Sequence, residues 1–110
     1  MIAKAGSRAR VEPTTIFKSL SDPTRRALFE RLSREGEITV HALTFPSGVS
    51  QPAVSKHLNS LKLAGLVMDR RDGRETYYRA IPEGLTPLSD WLKSHASFRQ
   101  SRSDLLEENV

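Results

Sequence analysis

Gln51, Ser55, Lys56, Asn59 and Lys62 fall on one side of a helical wheel, and no carboxylate interrupts them. A carboxamide donates and accepts in one plane, so Gln51 can pair bidentately with adenine, and Asn59 has similar capacity. Lys56 can reach guanine O6/N7 or a phosphate, and the Ser55 hydroxyl can take either role. Pro52, beside Gln51, offers an apolar surface to a thymine methyl. A second cationic set, Arg70, Arg71 and Arg74, surrounds Asp72-Gly73. Residues 50–80 carry Lys56, Lys62, Arg70, Arg71, Arg74 and Arg79 against Asp69, Asp72 and Glu75, an excess of +3 out of the chain's +4. This combination suits hydrogen bonding to base edges with phosphate neutralisation close by. The bland reading is a solvated helix face, with arginines paired to the neighbouring acids. The surrounding elements decide between them.

Ser50 is a good N-cap, and Pro52 is tolerated in a first turn, where its missing N–H costs nothing. Val54, Leu58, Leu61 and Gly65 make the apolar back of a Ser50–Ala64 helix, and Gly65 is a natural stop. Upstream, Pro13 to Leu20 can form a short helix with Ile16, Phe17 and Leu20 as its apolar side. Asp22 caps the next, Pro23 takes its first position, Leu28, Phe29 and Leu32 form its buried stripe, and Gly36 ends it. Arg25, Arg26, Arg31 and Arg34 lie on its outer faces. Glu37–Phe45 is ambiguous: Ile38 and Val40 suit a short strand, while Thr39 suits the cap of a helix to Thr44. Pro46-Ser47-Gly48 then turns the chain. Short helix, tight turn and longer helix make a helix-turn-helix, whose second helix enters a major groove.

Leu66 to Ile81 contains two β-rich runs around Asp72-Gly73, a dipeptide that favours a type I′ turn. That turn predicts Arg71 opposite Arg74, Arg70 opposite Glu75, Met68 opposite Tyr77 and Val67 opposite Tyr78. A hairpin in this place is a wing, with Arg70, Arg71 and Arg74 at its tip as DNA-contacting residues and Arg79 in a structural role. After Pro82 and Pro87, Leu88, Trp91, Leu92, His95, Phe98 and Leu105 recur at helical spacing toward the C-terminus. A long terminal helix with such an edge predicts contact with a second copy. Residues 1–12, with Lys4, Arg8 and Arg10, read as a loose basic arm.

L-S-D-P-T-R-R-A-L-F-E-R-L at 20–32, V-S-Q-P-A-V-S-K-H-L-N-S-L-K-L-A-G-L-V at 49–67 and R-R-D-G-R-E-T-Y-Y-R at 70–79 resemble the arsenical-resistance-repressor (ArsR) family. The resemblance implies a homodimer built from the first and last helices, adding Ile16 to the interface. It also implies two reading helices on a roughly palindromic operator, repression by promoter occupancy, and release by an inducer of unidentified chemistry. Thiolate-type sensors of that family carry C-x-C before the turn, where this chain offers Thr39 and His41. Asp90 and His95, five apart on the last helix, diverge, so the chain resembles a branch without obvious metal ligands.

Composition supports these expectations. The chain has 110 residues, 37% hydrophobic and 6% aromatic, suiting one helical domain. Its net charge of +4 favours an anionic partner. With no cysteine, disulfides, thiolate metal sites and cysteine nucleophiles are excluded. No apolar run reaches the length of a membrane span and no signal-peptide core is present, predicting a cytoplasmic protein. No nucleophile elbow, P-loop, dinucleotide fingerprint or H-E-x-x-H occurs, so no catalytic residue, metal ligand or cofactor is expected. His57 reads as packing or phosphate-contacting, and His95 as an interface residue. The fold expected is mainly α with a β-hairpin wing: an arm at 1–12, a winged helix-turn-helix core at 13–82 and a dimerisation helix at 83–110. DNA and a second copy are the partners expected. The alternatives are a metal-responsive repressor with non-thiolate ligands and a winged-helix protein-interaction module.

Overall fold

The computed structural model describes residues 11–95. Helices α1 (Pro13–Ser21) and α2 (Pro23–Glu35) are separated by one residue, Asp22. Asp22 has extended backbone angles and accepts the Arg25 N–H at 2.9 Å, while Pro23 opens α2. This satisfies a free donor of the first turn and sets the angle between the helices. The arm's last two residues already belong to the fold: Val11 packs against the core and Glu12 is the N-cap residue of α1. Residues 1–10 lie outside the described part.

Both readings of Glu37–Phe45 hold in succession. Ile38–Thr39 forms β1, and Thr39 then caps α3 (Val40–Thr44) by accepting the Ala42 N–H at 3.0 Å. Arg31 fastens α2 to α3 by donating to the Ala42 carbonyl at 3.2 Å. After the turn comes α4 (Gln51–Leu63), whose cap Ser50 accepts the Ala53 N–H at 3.3 Å. Its C-terminus closes with Leu66 N–H on the Leu61 carbonyl and Gly65 N–H on the Lys62 carbonyl, both at 3.0 Å. That pair of bonds is a Schellman motif, placing Gly65 just outside the helix, so Ala64 takes the buried position expected for the glycine.

Strands β2 (Val67–Asp72) and β3 (Glu75–Ala80) form the hairpin, and β1 pairs with β3, giving an antiparallel sheet of order β1-β3-β2. The register differs from the sequence expectation. Asp72 faces Glu75, Arg71 faces Thr76, Arg70 faces Tyr77 and Val67 faces Ala80. A type I′ turn over Asp72-Gly73 would need positive φ at both residues. Only Gly73 has it, at +64°, and no other described residue but glycine does. The central pair is therefore Gly73-Arg74, with glycine first as in a II′ turn, and Asp72 avoids left-handed strain. Each partner moves by two residues, so every side chain keeps its face.

The core gathers Ile16 from α1, Leu28 and Leu32 from α2, Leu43 from α3, Val54, Leu58 and Leu61 from α4, and Leu66, Val67 and Tyr78 from the hairpin. A 3-10 turn (Pro82–Leu85) follows, then α5 (Thr86–Lys93). Here Gly84 lies against Gly65–Leu66: a Cβ on Gly84 would collide with the Gly65 carbonyl oxygen. Only glycine permits that backbone approach. The Ile81 N–H donates to the Leu66 carbonyl at 2.8 Å in the same joint. At the end of α5, Ser94 Oγ–H and His95 Nδ1–H donate to the Trp91 carbonyl at 2.7 and 2.8 Å. The His95 N–H bonds to Leu92 instead, tightening that turn. Residues 96–110 lie outside the described part, and with them Phe98, Leu105 and most of the segment that the sequence predicts as a dimerisation helix.

Candidate nucleic-acid interface

Helix α4 is two-sided. Val54, Leu58 and Leu61 are at 0% exposure, whereas Gln51, Pro52, Ser55, Lys56 and Asn59 are exposed. Burying that back fixes the rotation of the helix, so the polar set faces outward together. Ser50 is exposed while its hydroxyl serves as the cap. Lys56, the one charged residue among Gln51, Ser55, Lys56 and Asn59, has no salt bridge among the described residues. Lys62, also on this face, is instead tied to Asp69 of β2 at 3.1 Å. The α3–α4 turn adds a residue the sequence reading left aside. Phe45 is 88% exposed immediately before Pro46, and its only sequence signal was an aromatic flanking a turn.

The wing separates its arginines by role. Arg70 Nε and Nη2 donate to the two Glu37 carboxylate oxygens, both at 2.8 Å. Its guanidinium carbon lies 4.4 Å from the centre of the Tyr77 ring, and Asp72 stands 3.7 Å away. This bidentate fork pulls the Glu37 carboxyl below the ordinary glutamate range and raises the arginine's own affinity for its proton. Arg70 therefore clamps the wing to the approach of β1, while its side chain stays half-exposed. Strand alternation puts Arg71 on the opposite face, and Arg71 and Arg74 are exposed with no salt bridge among the described residues. They form the cationic tip.

His57 is half-buried in α4, near enough to the α1–α2 junction for its charge to act on Asp22. The Asp22 carboxyl is held below its ordinary value first by the Arg25 backbone N–H and further by the charge of His57, against some desolvation.

The residues expected at a dimer contact divide. Ile16 is at 0% exposure within its own protomer's core, which removes it from any surface, and Leu88 packs against that core. Trp91 and Leu92 are 41% and 45% exposed, and His95 is exposed. Phe17, 46% exposed, joins them: its ring meets Trp91 edge-on at 5.5 Å, and Trp91 lies 4.3 Å from His95. The patch therefore draws on both α1 and α5. No helix among the described residues is long and apolar enough to cross a membrane.

A two-helix unit with an outward polar second helix, followed by a hairpin wing whose sheet the earlier β1 completes, defines a winged helix-turn-helix DNA-binding domain. Comparison with known proteins agrees. A family model described as a helix-turn-helix domain matches residues 20–70. The arsenic resistance transcriptional regulator ArsR2 of Pseudomonas putida is 36% identical over 101 residues, covering 91% of this chain and 84% of that protein. The regulator ArsR1 of the same organism is 45% identical over 76 residues, which span 69% of this chain and 59% of that protein's length. A solution structure from Mycobacterium bovis, of a homodimeric winged helix-turn-helix DNA-binding domain, superposes with a TM-score of 0.61 at 30% identity, covering 76% of this chain and 77% of that one. The chain belongs to the ArsR family of transcriptional regulators.

Proposed function

We propose that this chain acts in the cytoplasm as a homodimeric repressor that occupies a roughly palindromic operator. The observation that carries this reading is α4. Its apolar back is wholly buried, while Gln51, Ser55, Lys56 and Asn59 stand together in solvent without an acid. In this reading Gln51, Lys56 and Asn59 contact base edges, with Ser50, Pro52 and Ser55 beside them. Phe45 adds an apolar contact where the helix meets the groove. Arg71 and Arg74 neutralise flanking phosphates, which gives affinity and register without base preference. Phe17, Trp91, Leu92 and His95 meet their counterparts across a two-fold axis, fixing two reading helices about one helical turn of DNA apart.

Selection of bound duplexes from a random pool tests the reading. The expected product is an inverted repeat, bound by two chains, with affinity that falls steeply as salt rises. Recovery of no preferred sequence, or of one bound by a single chain, would overturn it.

A further inference from the structure

Two ion pairs grip the wing at its root, one on each face. Asp69 and Arg70 are consecutive residues of β2, so their side chains leave opposite sides of the sheet. On one side Asp69 meets Lys62 of α4 at 3.1 Å. On the other, Arg70 meets Glu37, just before β1, through two bonds of 2.8 Å. The cross-strand partners repeat this division: Asp69 faces the buried Tyr78, and Arg70 faces Tyr77, over whose ring its guanidinium lies. Burial raises the Tyr78 phenol above its ordinary value, Asp69 raises it further and Lys62 lowers it, so both charges act on one buried residue. Strand β1 backs β3 only at Tyr77 and Tyr78, the residues level with Arg70 and Asp69. Beyond that level the wing is a two-stranded ribbon, which twists more strongly than a wider sheet and has little stability alone. The ion pairs therefore stand where the third strand ends and the free ribbon begins.

We propose that Lys62 and Asp69 are positioning residues for DNA binding: their pair sets the pitch of the wing against α4, and the Arg70–Glu37 pair opposes it from the other face. The tie stands on the geometry alone; its effect on DNA rests on the reading proposed above. Arg71 leaves the same face as Asp69, about 7 Å further toward the tip. Lys62 lies about 16 Å along α4 from Gln51. The pair thus joins the far end of the reading helix to the strand that carries Arg71. What it fixes is register, the interval on DNA between the bases met by Gln51 and the phosphate met by Arg71. Both side chains keep contact with solvent, and such pairs add little to the stability of a fold. Their leverage here is on the distribution of wing orientations.

The chain has no cysteine, so spin labels attach only where one is introduced. Leu63→Cys and Glu75→Cys, at exposed positions, put one label at the end of α4 and one on the wing. Pulsed electron paramagnetic resonance on the full chain, diluted with unlabelled chain, reads the distance within one protomer without DNA. A narrow distribution is expected, broadened by Asp69→Asn or Lys62→Gln and narrowed again by the exchanged pair, Lys62→Glu with Asp69→Lys. Circular dichroism verifies that each variant folds. On the operator, each single substitution is expected to lose hydroxyl-radical protection of the flanking backbone and about fivefold in affinity, the upper scale of an exposed ion pair. Base preference at the positions read by α4 stays as in wild type, and the exchanged pair regains the protection. A distance distribution unmoved by both single substitutions overturns the tie, whether or not DNA is bound. So does an unmoved distribution with a salt slope steeper by about 1.8 in Asp69→Asn, since Asp69 then only keeps Lys62 off phosphates. A broadened distribution with flanking protection intact overturns the register role. A chain that binds no duplex refutes the DNA reading, while the distances still judge the tie.

Discussion

Arg70 and Arg74 stand within one hairpin and carry the same charge, yet the structure surrounds them differently, and we expect opposite effects on DNA binding when each is removed. Arg74 lies at the exposed turn, whereas both oxygens of Glu37 hold the Arg70 fork at 2.8 Å. A cation that neutralises a phosphate releases a counterion, and each such contact adds about 0.9 to the slope of log affinity against log salt. Arg74 occurs twice in a dimer, so Arg74→Ala is expected to reduce the slope by about 1.8. Between about 50 and about 200 mM salt, that difference is about tenfold in how far affinity falls. Arg71→Ala is expected to behave alike. Arg70→Ala releases no phosphate contact; it lowers thermal stability and weakens DNA binding only through a displaced wing, at an unchanged slope. Fluorescence anisotropy of a labelled operator across a salt series separates the cases. An Arg70→Ala slope as shallow as that of Arg74→Ala, or an unchanged Arg74→Ala slope, would refute the division of labour.

Gln51→Ala and Lys56→Ala are each expected to cost about 1–3 kcal/mol of operator affinity and to relax preference at one base position, measured against single-substituted duplexes. Replacing Phe17 and Trp91 with serine is expected to yield monomers by sedimentation at concentrations where wild type is dimeric. Glu37 has a carboxyl pKa lowered by Arg70, so its stabilising contribution is complete above the ordinary glutamate value of 4.5 and is lost as pH falls through the depressed folded value. Glu37→Gln should therefore flatten the acid limb of a melting-temperature profile, and an unaltered limb would contradict the clamp. Gly84→Ala places a methyl against backbone and is expected to destabilise by about 1–3 kcal/mol, read from denaturant unfolding.

Local signals made most of the fold legible. Asp22-Pro23, Thr39, Ser50 and Gly65 each act on hydrogen-bond donors or acceptors within six residues, and each bounds the element where the sequence puts it. The acid-free face of α4 was legible for the same reason, since Val54, Leu58 and Leu61 fix the helix rotation. What sequence left obscure depended on choices between near-equal alternatives or on distant partners. Asp72-Gly73 admits two turns differing by one residue, and a single positive φ separates them. The partner that holds the Arg70 fork, Glu37, lies 33 residues away in sequence. Ile16 and Phe17 are adjacent and both apolar, but only packing shows which one the core consumes.

The two ends of α4 are held by different physics, and this ties reading to assembly. At its N-terminus, a capped first turn presents Gln51 to solvent, where displacement by a partner costs no buried contact. At its C-terminus, backbone meets backbone: Gly65 against Gly84, with Ile81 bonded to Leu66. That joint has no long side chain to absorb movement, and packed interiors transmit strain instead of dissipating it. In the proposed dimer, a small rotation of α5 is therefore expected to carry the end of α4 with it. In a dimer held through Phe17 and Trp91, the spacing of the two Gln51 side chains becomes a property of this glycine contact as much as of the interface.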